Sequence, residues 1–331
     1  MGTTRNGSDR GVSRPGEEAE KPTAIPPRGW WQVVRRAVKE ASADNVAMLA
    51  AAVAFFAFLA VPPTMIAGLT LYGLVADPEQ AARQMEALAD TLPEQAQPLI
   101  ADQLGAVASS SDGALGLGLI VSLLGALWSA SSGTSNLMKA INIAYDEDET
   151  RGFLKLRGVA LVLTLGAIVF MLVTLALVAV VPPLLEALQL GVVGTVLAQV
   201  VRWGLLIALG VGALAVAYRL APDRADPKFA WTSTGALVAT MLWVLGSLGF
   251  SLYVNNFGSY NKTYGALAGI VVFLLWLYLT SYIVLLGAEI NAESEKQTRA
   301  DTTTGDPLPM GQRRAEAADT LADPPEPRKS S

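Results

Sequence analysis

The chain has 331 residues, of which 52% are hydrophobic and 16% charged, against roughly 25% charged in an ordinary soluble protein. It has no Cys, no His and a formal net charge of −5. That excludes disulfide scaffolds, thiolate or imidazole zinc sites, His-dependent nucleophile systems and a protein built mainly to grip nucleic acid by its phosphates.

Residues 1–28 mix Gly, Pro and charge without an apolar run, and predict a disordered cytoplasmic tail. Residues 29–45 set Trp30, Trp31, Val33, Val34 and Val38 among basic groups. They fit either a helix lying on the inner leaflet or an N-terminal extension of the first span. Six nearly uncharged stretches follow, at about 46–76, 114–138, 158–183, 196–218, 229–254 and 264–288. Each is near the ~20 helical residues that a hydrocarbon layer requires. The runs are continuous rather than alternating, which favours helices over barrel strands, and a helix satisfies its own backbone in lipid. Between the first two spans, Asp77 to Gly113 is acidic and punctuated by Pro78, Pro93 and Pro98. Its apolar residues recur at helical spacing, predicting two short amphipathic helices on the outer face with a solvated charged surface. Residues 294–331 turn polar and Pro-rich again and predict a second disordered cytoplasmic tail. The fold class is therefore all-α: a polytopic six-transmembrane-helix bundle over 29–293, with the lipid bilayer as its partner.

Thirteen Lys and Arg residues flank the spans on the side of both termini, including Arg35, Arg36, Arg151, Arg157, Arg224 and Lys296; the other side has Arg83 and Lys262. The asymmetry places both termini in the cytoplasm and the chain in the cytoplasmic (inner) membrane.

Span two carries Gly125, Ser129 and Gly133 at four-residue spacing, a smooth face for close helix packing. Its second half is dense in polar groups: Trp128, Ser129, Ser131, Ser132, Thr134 and Asn136. One reading is packing plus hydroxyl bonding to the helix's own carbonyls, the other a polar wall of a cavity or pathway. Gly204, Ala208 and Gly212 repeat the small-residue pattern in span four, and Gly265 and Gly269 open span six. Such faces suggest a compact bundle, and they also offer a route to a homo-oligomer. Pro62 and Pro63 interrupt span one near its middle, freeing carbonyls one turn earlier; a packed kink and a substrate-lining break are both open. Arg202 is the charge well inside a span, either snorkelling or facing an anion in the interior. Asn45, Asn142, Glu289 and Asn291 stand at cytoplasmic span ends, as interface caps or parts of an inner gate. No phosphate-binding glycine loop and no intramembrane carboxylate pair is present, so no cofactor, metal or catalytic residue is expected.

Three stretches resemble the YihY/virulence factor BrkB family of bacterial inner-membrane proteins. They are Ala50–Pro63; Leu127–Ala130 with Ala140–Tyr145 and Arg151; and Tyr218–Pro222 through Gly235-Ala236 to Tyr264–Gly269, Leu275–Tyr278 and Leu286–Ala292. Ala60 stands where the family often has Ser. The resemblance implies a six-helix inner-membrane protein, and a ribonuclease label is attached to part of the family. Residues without His, clustered carboxylates or a basic aromatic groove oppose that label. The expected function is a transporter-like or lipid-handling protein that does not bind nucleic acid. A non-transporting scaffold is the alternative, and a ribonuclease is the least favoured reading.

Overall fold

The computed structural model describes residues 14–75, 113–188, 191–256 and 266–322. Helix α1, Pro27–Ala43, begins with a proline whose fixed φ suits a helix start. Gly29, Val33, Ala37 and Ala41 recur every four residues and form its buried stripe, while Trp31 and Val38 stay exposed. It ends at Asp44 and Asn45; Asn45 takes the left-handed conformation (φ 54°), which Asn tolerates better than most residues. Helix α2, Val46–Val75, then leaves at a bend of 67°. Residues 29–45 therefore form a separate helix and turn rather than a straight extension of the first span. The marked corner falls at Asp44-Asn45, whereas helix α2 continues through positions 62 and 63.

The remaining long helices are α3 (Gly113–Ala144), α4 (Phe153–Leu175), α6 (Gly191–Leu220), α7 (Phe229–Asn256) and α8 (Ala266–Glu295). After α4 the chain passes through a π-turn, Ala176–Val180, into α5, Val181–Ala187. The Val181 N–H donates to the Ala176 carbonyl there, and the widened turn carries the helix through Pro182 and Pro183, which offer no N–H. Those prolines thus lie inside a helical segment and do not end it.

Helix α2 packs between α3 and α8; α3 meets α4, α4 meets α6, α6 meets α7, and α7 closes onto α8. Helix α8 also touches α1 and α3. The buried core lies where α2, α4 and α7 begin and α3, α6 and α8 end, and includes Val46, Met138, Ile141, Tyr145, Tyr218, Leu285 and Ala288. Elsewhere the helices show apolar side chains outward, such as Val162, Val169 and Met171 on α4 and Val192, Val193 and Val200 on α6. A water-soluble surface does not carry patches of this extent; a bilayer covers them. Among the described residues four helices are long and apolar enough to cross a membrane, and the bent pair α1–α2 makes a fifth if it is counted as one span. The amphipathic helices expected between Asp77 and Gly113 lie outside the described residues.

The expectation of disordered tails fails for residues 14–26 and 296–322, which fold onto the core end of the bundle. Arg313 is 5% exposed and donates to the carbonyls of Leu308, Ala300, Ala318 and Arg299 at 3.0, 3.2, 2.7 and 2.8 Å. Thr298 Oγ1 donates to the Ala19 carbonyl (2.7 Å), and Gln297 Nε2 to that of Pro15 (2.7 Å). Such segments lack the apolar runs that announce a core because their buried groups are satisfied by hydrogen bonds instead.

Candidate functional site

The polar half of α3 meets the first turns of α4. Ser131, fully buried, donates to the Trp128 carbonyl (2.7 Å) and accepts from Arg157 Nη1 (3.2 Å). Ser132 accepts from the same Nη1 at 3.1 Å. The guanidinium lies over the Trp128 ring, 4.8 Å from its centroid, and 5.9 Å from that of Phe153. Thr134 and Thr164 share a hydrogen bond of 2.8 Å, and Thr164 donates to the Ala160 carbonyl. Contacts therefore advance along both helices together, from 128 with 153 to 134 with 164, so these stretches do not pass in simple antiparallel register. Asn136 spends its amide on the Ser132 carbonyl (2.8 Å), and Ser129 is exposed.

A second polar group occupies the core end. Asn142, 2% exposed, accepts from the Asp223 N–H (2.7 Å) and donates to Glu149 (2.9 Å), tying the α3–α4 and α6–α7 connections together. Arg151 chelates Glu149 and donates to the Ala221 carbonyl (2.7 Å); burial works against the Glu149 charge, but Arg151 holds this carboxyl below its usual range. Arg224 and Glu295 are fully buried and paired at 2.6 Å, with the Tyr145 ring under the guanidinium at 5.2 Å. Arg36 pairs with Glu293 at 2.5 Å, and Lys296 bridges Glu293 (3.0 Å) and Asp146 (2.7 Å). Glu147 accepts from the Glu316 N–H (2.8 Å); burial raises this carboxyl to about 7, against the pull of Glu316 and Arg224.

Asn291 is fully buried, accepts from the Gly235 N–H (2.7 Å) and donates to the Thr232 carbonyl (3.1 Å). It splices α8 to α7 where the two backbones nearly touch: a Cβ on Gly235 would strike the Gly287 carbonyl. Tyr218 Oη donates to the Val284 carbonyl (2.7 Å) beside this crossing. Glu289 is also buried and leaves Oε1 without a hydrogen-bond partner among the described residues. Of the expected inner gate, Asn142, Glu289 and Asn291 thus lie in one packed layer. Asn45 is exposed at the α1–α2 corner, and among the described residues its side chain bonds locally, to the Ala43 carbonyl.

Arg202 lies over the Trp203 ring (5.6 Å), its Nε unpartnered, and makes no hydrogen bond to the α3 stretch among the described residues. The small-residue faces divide: Gly133 packs on α2 backbone at Phe56 and Ala57, whereas Gly125, Gly204, Gly212 and Gly269 meet nothing close among the described residues. Gly133 thus serves the close packing expected of these faces, and Gly265 lies outside the described residues.

Sequence reasoning singled out the serines but counted Arg157 only as a loop charge. Its position, four residues into an apolar run beside Phe153, was the available signal. Arg224 and Arg313 carried none, since a buried arginine in a polar segment reads like a solvated one.

The family described as Virulence factor BrkB matches residues 37–309. Ribonuclease-like protein YfkH of Bacillus subtilis (strain 168) is 30% identical over 254 residues, 75% of this chain and 90% of that protein. A UPF0761 membrane protein of Photobacterium profundum is 44% identical over 91 residues, 28% of either chain. One of Chromobacterium violaceum is 42% identical over 92 residues, 28% of this chain and 22% of that protein. No solved structure matches. With the family matched across the helices, the polar core end and about half of the folded C-terminal segment, this multi-pass membrane protein belongs to the virulence factor BrkB family.

Proposed function

We propose that the chain is a transporter-like, lipid-handling protein of the cytoplasmic membrane, with six spans, both termini in the cytoplasm and a pathway beside the polar half of α3. The observation that carries this reading is the Ser131–Ser132 hydroxyl pair, which bonds the Trp128 carbonyl of its own helix and also meets the Arg157 guanidinium of α4, forming a charged polar cluster beside the lipid-facing flank of α4. Polar groups retained in a lipid-facing bundle mark pathways, because their desolvation is otherwise unrewarded. The thirteen-to-two Lys/Arg asymmetry supports the orientation.

The test reconstitutes the full chain in vesicles of phosphatidylglycerol and phosphatidylcholine containing an acyl-labelled fluorescent phospholipid, then adds dithionite outside. Wild type should expose label from both leaflets, and the Ser131→Leu/Ser132→Leu variant, inserted and folded, only from the outer one. Bleaching confined to the outer leaflet with wild type overturns the reading. A second reading, a scaffold or homo-oligomer, is favoured by the outward Gly204, Ala208 and Gly212 stripe on α6. It expects cysteines introduced at 204 and 212 to cross-link between copies in native membranes.

A further inference from the structure

Most guanidiniums at the core end meet a carboxylate: Arg36, Arg151, Arg219, Arg224, Arg299 and Arg313 all do. Arg157 makes no ion pair among the described residues, although it is half-buried in the second turn of an apolar span. Its protein hydrogen bonds both use Nη1, leaving Nη2 and Nε with no protein acceptor among those residues. A guanidinium's free edge in apolar surroundings is costly unless an anion completes it, and its fork fits two phosphate oxygens. The start of α4 adds to this. Gly152 caps it without a side-chain hydrogen bond, so the first-turn N–H groups are open to an acceptor, and Lys155 stands exposed on the same turn. Around the charge, Trp128, Phe153 and Leu154 are apolar and exposed, Leu154 to 82%.

We propose that Arg157, with Ser131 and Ser132 fixing its Nη1, binds the phosphate of an anionic membrane phospholipid at the α3–α4 junction. Trp128, Phe153 and Leu154 receive the glycerol and first acyl carbons. A lipid is favoured over a soluble phosphate because the approach to the charge is apolar and continues into the lipid-facing flank of α4. The proposal deepens the lipid-handling reading and rests on it for its purpose; binding itself is measurable without transport.

The experiment is native mass spectrometry of the full chain released from detergent after titration with phosphatidylglycerol or phosphatidylcholine, with and without millimolar inorganic phosphate. Wild type should retain phosphatidylglycerol preferentially, and inorganic phosphate should not displace it. Arg157→Gln should weaken retention about tenfold, the loss of one charged hydrogen-bonding group. Arg157→Lys should recover only part, since a point charge lacks the fork. Ser132→Ala, which removes one oxygen positioning Nη1, covers the case in which Arg157→Gln does not fold and should weaken retention about threefold. Equal retention of the two lipids, an unchanged Arg157→Gln or, should that variant not fold, an unchanged Ser132→Ala overturns the proposal; displacement by inorganic phosphate overturns its lipid source. If phosphatidylglycerol binds through Arg157 while dithionite bleaches only the outer leaflet, the site stands and the transport reading falls. If label moves across but Arg157→Gln retains lipid like wild type, the reverse holds.

Discussion

At the residue scale, the tightest constraint is the crossing of Gly235 and Gly287. A Cβ at 287 would stand 2.8 Å from the Ala239 Cβ and 3.0 Å from the Gly235 carbonyl, and would strike the Tyr218 hydroxyl. Gly287→Ala should therefore cost about 1–3 kcal/mol through overpacking, read as a lowered midpoint of thermal unfolding in detergent. The same change at Gly212, which faces open space, should leave the midpoint unchanged. Glu147 adds a pH dependence. Its carboxyl is raised to about 7, burial being the largest cause, against 4.5 ordinarily. A raised acid contributes stability that is present below about 4.5 and fades as pH climbs through 7. The cost is that of ionising a buried carboxyl, only partly offset by the Glu316 N–H, so the midpoint of thermal unfolding in detergent should fall between pH 5 and 8. Glu147→Gln should flatten that profile.

Among elements, the long helices were legible because hydrocarbon imposes one rule, an uninterrupted apolar run, and these runs obey it. Other features were not. The corner at Asn45 depends on one left-handed residue between two helices that composition does not separate. The folded C-terminal segment is polar, and its order rests on Arg313 satisfying four carbonyls, a geometry with no spacing signature. Arg313→Met keeps the length and removes the donors, so residues 299–320 should become susceptible to trypsin and chymotrypsin while the helices stay protected. The candidate site divides along the same line. Ser131, Ser132 and Asn291 stood out as hydroxyls and an amide in apolar runs, whereas the arginine that joins two of them came from the next helix.

For the whole molecule, orientation is the decisive expectation. Alkaline phosphatase fused after residue 331 should be inactive and a cytoplasm-dependent fluorescent protein there should glow, with matching results for fusions before residue 1; the opposite pattern inverts the bundle. The described N- and C-terminal segments converge on one face, where Arg36 reaches Glu293 and Gln297 reaches the Pro15 carbonyl across 257 and 282 positions of sequence. The amphipathic stripe of α1 precedes the other long helices in the chain, yet the surface it seats against, α8, is the last of them. The stripe of α1 therefore stays without its main partner until α8 has been made, and a chain truncated before residue 266 should expose α1 to added protease where the full chain protects it.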